Sequence, residues 1–153
     1  MPVISLNVPH YKQEFPYSCI PACVRMVLAH YGRLCTEDEL RQLLGTGPHG
    51  TRARDILRVS ALGYDVQLVS SNLAELATAL VNGCPPIVFL QTTFLDYWSQ
   101  HCDHVAVVVG LDVNAVFLND PYFDTAPQQT SLSGFQQAWA SNDCLAVFIR
   151  PQQ

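Results

Sequence analysis

Cys19 is the residue whose type and position point most directly to chemistry, because it opens the stretch CIPACVRMVLAH. The apolar residues of that stretch recur at helical spacing, and Pro21 suits the first turn of a helix, where a missing backbone N–H costs no hydrogen bond. We therefore expect Cys19 at a helix N-terminus, where the positive end of the helix dipole favours the nucleophilic thiolate. Cys23 falls one turn later, on the same face as Met26 and Val27, and is predicted to be a core residue. Taken alone, Cys19 has the same alternative, a small buried structural residue.

A thiolate nucleophile requires a general base, and histidine is the usual choice. The chain has five histidines, at positions 10, 30, 49, 101 and 104. His104 is the best candidate, because it stands where a loop ends and the apolar run VAVVVG begins, so that a strand would hold it on rigid backbone. His30 lies three turns along the same helix as Cys19 and cannot reach it. His10 and His49 lie in loops without a partner pattern. The alternative for His104 is a strand-edge histidine that is hydrogen-bonded to water.

The imidazole also needs an acceptor that orients its second nitrogen. Asp120 ends the run AVFLND, and a hairpin turn over residues 112–114 would pair that run with the strand of His104. Asp103 is adjacent to His104 in sequence, but neighbouring residues on a strand point to opposite faces. Asp120 is therefore the preferred acceptor and Asn119 is the neighbouring alternative. An ordinary turn at Asn-Asp-Pro is the non-functional interpretation.

Gln13 lies six residues before Cys19 and offers a neutral side-chain amide to a developing oxyanion. The backbone N–H of Cys19, at the helix start, would be a second donor. A solvated position in a proline-rich loop is the alternative for Gln13. Each of these signals is weak alone, and what joins them is their order: glutamine, cysteine at a helix start, histidine at a strand start, and aspartate at the end of the next strand.

Further helices are predicted between capping residues and glycines. Thr36 and Glu39 have the spacing of a capping box, and Gly45 would end the helix that they open. Thr51 would cap a third helix, which Gly63 would end. The inward residues expected on that third helix are Ile56, Leu57 and Ala61. Two more helices are expected over residues 73–82, capped by Asn72, and over residues 131–139.

Short apolar runs rich in β-branched residues predict strands. These runs are YDVQLV at 64–69, PIVFLQ at 86–91, HVAVVVG at 104–110, AVFLND at 115–120 and CLAVFI at 144–149. The second and third runs are apolar at nearly every residue, so both faces of the sheet are expected to be covered. Helices thus precede a mainly antiparallel sheet, which predicts an α+β fold.

The composition bounds the class of protein. The chain has 153 residues, 49% of them hydrophobic and 14% charged, which predicts one globular domain over residues 1–153. A net charge of −5 predicts no basic surface and therefore no nucleic-acid partner.

No apolar run reaches about 18 residues, the length of a membrane span. MPVISLNVPHYKQ lacks the regions of a signal peptide, so a cytoplasmic protein with six reduced cysteines is expected.

The order of these residues resembles that of the papain-like cysteine peptidases, and within them of the bacteriocin-processing peptidases that cleave after double-glycine leaders, with their stand-alone relatives. The matching segments cover almost the whole chain: VPHYKQEFPYSCIPACVRMVLAHYG, GTRARDILRVSALGYDVQLV, PPIVFL, HVAVVVGLDVNAVFLNDPYF and FQQAW. The resemblance implies a papain-like peptidase fold with four functional residues: Gln13 as oxyanion donor, Cys19 as nucleophile, His104 as base and acid, and Asp120 as orienting residue. It also implies hydrolysis of a bond in a peptide or protein substrate, with no metal or other cofactor.

The sequence departs from this family at the nucleophile, where the usual Asp-Cys-Gly is replaced by Ser18-Cys19-Ile20. The missing glycine and the bulk of Ile20 hinder the approach of a substrate backbone, so a substrate other than a double-glycine leader is expected. The transporter-fused members of the family continue into membrane helices and this sequence does not, so a stand-alone enzyme is expected. Two alternatives share the fold: a non-catalytic peptide-binding module, and an acyl transferase that uses the same triad. A third is a zinc protein, although a C-x3-C spacing is unusual for zinc. Its ligands would come from Cys19, Cys23, His101, Cys102 and His104.

Overall fold

Seven antiparallel strands form a sheet in the computed structural model, which describes residues 4–153. The strands are β1 (Ile4–Ser5), β2 (Tyr64–Ser70), β3 (Ile87–Gln91), β4 (Asp103–Leu111), β5 (Ala115–Asn119), β6 (Gln128–Ser131) and β7 (Leu145–Pro151). Their order across the sheet is β2-β7-β3-β4-β5-β6, and β1 pairs with the end of β4. β4 is therefore an inner strand, with β3 on one side and β5 on the other.

Helices cover both faces of this sheet. They are α1 (Cys19–His30), α2 (Glu37–Leu44), a long 3-10 helix (Ala53–Leu62), α3 (Leu73–Val81), a short 3-10 turn (Thr92–Phe94) and α4 (Leu132–Ala140). α1, α2 and the long 3-10 helix share a hydrophobic core with one face, and α3 and α4 share a second core with the other. The α+β fold predicted from the sequence is confirmed.

β4 is the strand that both cores share. Val105, Val107 and Val109 belong to the core beneath α1, whereas Ala106 and Val108 belong to the core beneath α3 and α4. All residues of β4 after Asp103 are buried. A continuous apolar run was the sequence signal for this arrangement, because a strand with helices on both faces has no solvent-facing side.

Three of the predicted helices have the side-chain cap expected at their start. Thr36, Asn72 and Ser131 each accept a hydrogen bond from the backbone N–H three residues later, at the start of α2, α3 and α4. Gly45 follows α2 with a φ of 66°, the left-handed conformation that glycine adopts without a steric penalty. These are local interactions within a few residues, which explains why the sequence pattern finds them.

The third predicted helix differs in type and in its buried face. Residues 53–62 form a 3-10 helix that buries Ile56 and Val59, while Leu57 is 42% exposed. A 3-10 helix has three residues per turn, so Ile56 and Val59 share the buried face. The predicted inward positions of Leu57 and Ala61 are wrong, because both are exposed. Thr51 is also not its cap, because the Thr51 hydroxyl is hydrogen-bonded to Thr46.

Two strands, β1 and β6, were not predicted from the sequence. β1 has only two residues, too few to show the alternation that identifies a strand in a sequence, and residues 1–3 lie outside the described residues. It pairs with Gly110, where a Cβ atom would lie 3.2 Å from the carbonyl oxygen of Ile4, so a glycine permits the close approach. β6 consists of QQTS, a polar edge strand without the apolar alternation that identifies strands in a sequence.

Candidate active site

Cys19 is the first residue of α1 and is partly exposed, as the apolar periodicity of that helix predicts. The same helix buries Cys23 completely, and the Cys23 thiol lies 3.5 Å from the carbonyl oxygen of Val105 in β4. The core assignment of Cys23 is confirmed. Because this contact docks the first turn of α1 beside the start of β4, it brings Cys19 to the strand residue that precedes Val105, His104.

His104 lies between Cys19 and Asp120. Its Nε2 is 2.6 Å from Oδ1 of Asp120, and both side chains are almost fully buried. Cys19 is its other functional neighbour, since Cys19 and His104 line the same cleft and the Cys19 side chain contributes to the raised pKa of the imidazole. The predicted hairpin accounts for the first pairing, since β4 and β5 pair antiparallel and His104 and Asp120 lie at the same end of that pair.

The environment of His104 favours its protonated form. Burial alone would lower the pKa of the imidazole, but the hydrogen bond to Asp120, the charge of that carboxylate and the neighbouring Cys19 side chain raise it to about 10. Burial likewise would raise the pKa of Asp120, yet the hydrogen bond and the positive charge of His104 hold it below its ordinary value. The two residues therefore form a buried, hydrogen-bonded pair in which the protonated imidazole and the ionised carboxylate favour each other.

Four donors surround the carboxylate of Asp120. Besides His104, its Oδ1 accepts the backbone N–H of Tyr122 at 3.0 Å. Its Oδ2 accepts the Tyr97 hydroxyl at 2.8 Å and the indole N–H of Trp98 at 2.9 Å. The Trp98 ring also packs edge to face against the imidazole, with the ring centroids 4.9 Å apart. Trp98 thus contacts both members of the pair.

Sequence reasoning missed Tyr97 and Trp98. Both lie in the loop between β3 and β4, within seven residues of His104. Their residue types alone gave an indication, because each has a large ring with one polar hydrogen that usually finds a hydrogen-bond acceptor when the ring is buried. The sequence does not show which partner, since the loop meets Asp120 only in the folded chain.

The other two acceptors considered for His104 lie elsewhere. Asn119 is buried, but its Nδ2 donates to the carbonyl oxygen of Val8 at 3.0 Å. Asp103 is exposed, as its position next to His104 on a strand predicts. Asp120 is the acceptor that the structure pairs with His104.

Gln13 is buried near this pair without touching it. Its backbone N–H donates to the carbonyl oxygen of Pro121 at 2.7 Å, which ties the loop to the turn after Asp120. Its side-chain Nε2 donates to the carbonyl oxygen of Phe15 at 2.8 Å and carries a second hydrogen beyond that bond. Within residues 4–153 the Gln13 side chain makes no hydrogen bond to Cys19 or His104.

A cleft of about 490 Å³ opens at Cys19 and His104. Its lining residues are Pro16, Tyr17, Cys19, Ile20, Pro48, His49, Gly50, Thr51, Phe89, Asp103, His104, Val105 and Asn142. Gln13 does not line it. Ile20 does, as its place beside the thiol suggests, and so does His49, for which the sequence offered no role. The cleft mixes apolar and polar groups, as a site for a peptide chain would.

Three histidines outside the cleft bond to local groups. His10 contacts the carbonyl oxygen of Phe123 at 2.7 Å, His30 that of Gly83 at 2.9 Å, and His101 the hydroxyl of Thr93 at 2.9 Å. In the described part of the chain, all six cysteines are unpaired, and no group of three or more His, Cys, Asp or Glu side chains is placed to bind a metal ion. None of the helices described for residues 4–153 has the length and apolar character needed to cross a membrane.

Comparison with protein families gives a match over nearly the whole chain. The model of the peptidase C39 family matches residues 7–152. A protein of unknown function from Methanothermobacter thermautotrophicus is 32% identical over 110 residues, which are 71% of this chain and 68% of that protein.

Solved structures of similar fold agree with this match. The peptidase domain of Streptococcus ComA, a bifunctional ABC transporter involved in quorum sensing, is 26% identical with a TM-score of 0.76, covering 94% of this chain and 98% of that one. A C39-like peptidase from Bacillus anthracis is 16% identical with a TM-score of 0.83, covering all of both chains. A double-glycine motif protease solved with its leader peptide is 18% identical with a TM-score of 0.76, covering 97% and 94%. The resemblance and the fold class drawn from the sequence are confirmed.

Proposed function

This chain belongs to the peptidase C39 family, and on that basis we propose that residues 1–153 are one cysteine peptidase domain in which Cys19, His104 and Asp120 form the catalytic triad. The observation that supports this assignment is the position of His104, which is hydrogen-bonded to Asp120 and lines the same cleft as Cys19. A nucleophile, a base and an orienting acceptor in contact are the arrangement that covalent acyl transfer requires.

In the first step, the Cys19 thiol passes its proton to His104, whose raised pKa favours the protonated imidazole, and the sulfur attacks the carbonyl carbon of a peptide bond. The carbonyl electrons move to oxygen, and this oxyanion accepts hydrogen bonds from the Cys19 backbone N–H and from the second hydrogen of the Gln13 amide. The C–N bond then breaks, His104 gives its proton to the leaving amine, and the acyl group stays on sulfur as a thioester.

In the second step, water attacks the thioester while His104 accepts one of its protons. The C–S bond breaks, the acid product leaves, and the Cys19 thiol is restored. Asp120 keeps the imidazole oriented and stabilises its positive form throughout, and it is itself deprotonated throughout, in agreement with its lowered pKa.

The substrate in this proposal is a peptide or an extended segment of a protein. A neighbour of the same fold was solved with a leader peptide bound, and the cleft at Cys19 is large enough for a chain with side chains. Ile20 and the absence of glycine beside the thiol narrow the approach to Cys19, so we propose processing of a precursor other than a double-glycine leader.

The test is cleavage of a complex mixture of denatured-protein peptides by the wild type and by Cys19→Ala, with new N-termini identified by mass spectrometry. We expect new termini with the wild type and with the control Cys102→Ser, and none with Cys19→Ala. In parallel, iodoacetamide at neutral pH should label Cys19 first. Labelling of Cys19 no faster than the other five cysteines, or termini that persist in Cys19→Ala, contradicts the triad, and a Cys19→Ala protein with full biological effect indicates a binding module.

A further inference from the structure

Glu37, the first residue of α2, has a fully buried carboxylate beneath the loop that joins Gln13 to Cys19. Its Oε1 accepts the backbone N–H of Glu14 at 3.0 Å and the hydroxyl of Ser18 at 3.1 Å, and its Oε2 pairs with the guanidinium of Arg41. A buried charge costs several kcal/mol unless it is paired and hydrogen-bonded, about the scale of a protein's net stability. Within residues 4–153, every hydrogen bond that this carboxylate accepts from outside α2 comes from the loop that leads to Cys19.

Arg41 binds the same loop from the next turn of α2. Its Nη1 is 3.2 Å from the carboxylate of Glu14, and its guanidinium lies over the ring of Phe15, 4.5 Å from the ring centroid. Residues at i and i+4 share one face of a helix, so Glu37 and Arg41 face the same loop. Together they contact Glu14, Phe15 and Ser18 of that loop. We call this set of contacts the α2 clamp.

The clamp reaches Gln13 through the peptide groups of Phe15. The Ser18 hydroxyl lies 3.1 Å from Oε1 of Glu37 and 3.0 Å from the carbonyl oxygen of Phe15, both of which are acceptors for its hydrogen. Its oxygen accepts the N–H of Phe15 at 3.0 Å. The carbonyl oxygen of Phe15 accepts one hydrogen of the Gln13 amide at 2.8 Å. That bond fixes the plane of the amide and therefore the direction of its second hydrogen.

At the start of α1, the Ser18 side chain contributes to the clamp and not to the helix. It occupies the N-cap position of α1 but makes no side-chain capping bond to the helix, because its hydroxyl is directed to Glu37 and Phe15 instead. A serine at this position usually caps the helix, and here its hydroxyl is part of the α2 clamp instead.

We propose that Glu37 is a positioning residue that orients the Gln13 amide as an oxyanion donor, acting through Ser18 and Phe15. The inference rests on the proposed triad and adds a residue that does not contact the substrate. It separates two properties of the site: the nucleophilicity of Cys19, which depends on His104, and the stabilisation of the oxyanion, which depends on the clamp.

Two reagents that react with the same thiol distinguish these properties. Acylation of Cys19 by p-nitrophenyl acetate passes through a tetrahedral oxyanion, whereas alkylation by iodoacetamide displaces iodide and forms none. The ratio of the two rate constants at Cys19, corrected with Cys19→Ser, therefore reports oxyanion stabilisation separately from nucleophilicity. Neither reagent requires that a peptide substrate be known.

We expect Glu37→Gln to lower the acylation rate about tenfold or more while the alkylation rate stays within about twofold of the wild type. Asp55→Asn is the matched control, because Asp55 is a largely buried carboxylate that pairs with Arg52 and Arg58 on the long 3-10 helix. This control should leave the ratio unchanged even if it lowers the melting temperature. If Glu37→Gln does not fold, Ser18→Ala breaks the clamp at its loop end and takes its place.

Combination with Gln13→Ala gives the decisive comparison. If Glu37 acts through Gln13, adding Glu37→Gln to Gln13→Ala should change the ratio no further. Full additivity of the two effects, or an unchanged ratio in both Glu37→Gln and Ser18→Ala, overturns the inference. Failure of the proposed function has a different signature: Cys19 would react with neither reagent faster than the other cysteines, and no peptide would be cleaved.

Discussion

The carboxylate of Asp120 accepts four hydrogen bonds, and this saturation fixes the group on which His104 depends. Tyr122 and His104 donate to one oxygen, and Tyr97 and Trp98 donate to the other. Burial, and secondarily the charge of Asp120, raise the pKa of Tyr97 far above its ordinary value, so its hydroxyl stays protonated and donates. A carboxylate engaged on both oxygens cannot rotate, and it leaves the imidazole a single orientation.

Trp98→Phe should therefore lower kcat/KM for peptide cleavage about tenfold, because it removes one hydrogen bond to a charged group while a ring still packs against His104. The measurement is steady-state kinetics on a peptide identified as a substrate of the wild type. Tyr97→Phe, which removes the other donor to the same oxygen, should act in the same direction.

Trp139→Phe is the matched control for this change. The Trp139 indole N–H donates to the carbonyl oxygen of Leu145 at 3.0 Å, in the core on the face of the sheet that carries α3 and α4. Its loss should lower stability but leave kcat/KM within about twofold of the wild type. Equal losses of activity in Trp98→Phe and Trp139→Phe would show that the effect is general destabilisation.

At the scale of elements, the segment over residues 92–98 is what brings Tyr97 and Trp98 to Asp120. It is docked on the start of α4: Asp96 accepts the backbone N–H of Ser131 at 2.8 Å and donates its own to the Thr130 hydroxyl at 3.2 Å. Gly134 permits this contact, since a Cβ atom there would lie 2.5 Å from the carbonyl oxygen of Phe94. α4 thus supports the site from a distance.

Gly134→Ala should destabilise the protein by about 1–3 kcal/mol, although alanine is the better helix former by about 1 kcal/mol. The added methyl group would push the Phe94 backbone away and shift the two aromatic donors, so activity should fall as well. Urea unfolding and kcat/KM are the two measurements. Gln136→Ala, at an exposed position of the same helix, is the control, and a stabilised, fully active Gly134→Ala would contradict the argument.

The parts of the structure that the sequence predicts are those determined by neighbouring residues. The caps at Thr36 and Asn72 and the apolar run of β4 depend on a few adjacent positions, as does the place of Cys19 at a helix start. The burial of Glu37, by contrast, does not follow from its neighbours in the sequence. An acidic residue in the first turn of a helix is ordinarily solvated beside the helix dipole, and only the packed loop above it makes Glu37 buried.

At the scale of the whole molecule, the candidate site lies where α1 meets the strand that both cores share. The hydrogen-bonded pair of His104 and Asp120 is buried there, so its protonation is linked to folding as well as to the proposed chemistry. Folding raises the pKa of His104 from 6.5 to about 10, which makes the folded state the stronger binder of that proton. Folding lowers the pKa of Asp120 from 3.8, which makes the folded state the weaker binder of its proton.

The sign of the pH dependence follows from these two shifts. The contribution of His104 is complete below about pH 6.5 and is lost as the pH rises toward 10. The contribution of Asp120 is complete above the ordinary pKa of 3.8 and is lost as the pH falls through its lowered value. The two groups should therefore stabilise the fold most between about pH 3.8 and pH 6.5, where both contributions are complete.

We expect the free energy of unfolding of the wild type to fall more steeply between pH 6.5 and about 10 than that of His104→Gln, whose amide does not titrate. Other buried groups contribute an alkaline loss to both proteins; burial, for example, raises the pKa of the Cys23 thiol. The difference between the two urea-unfolding curves isolates the histidine, because every other group is shared. Parallel pH profiles would mean that His104 is neutral in the folded protein, and the buried pair would then be a neutral imidazole hydrogen-bonded to a carboxylate.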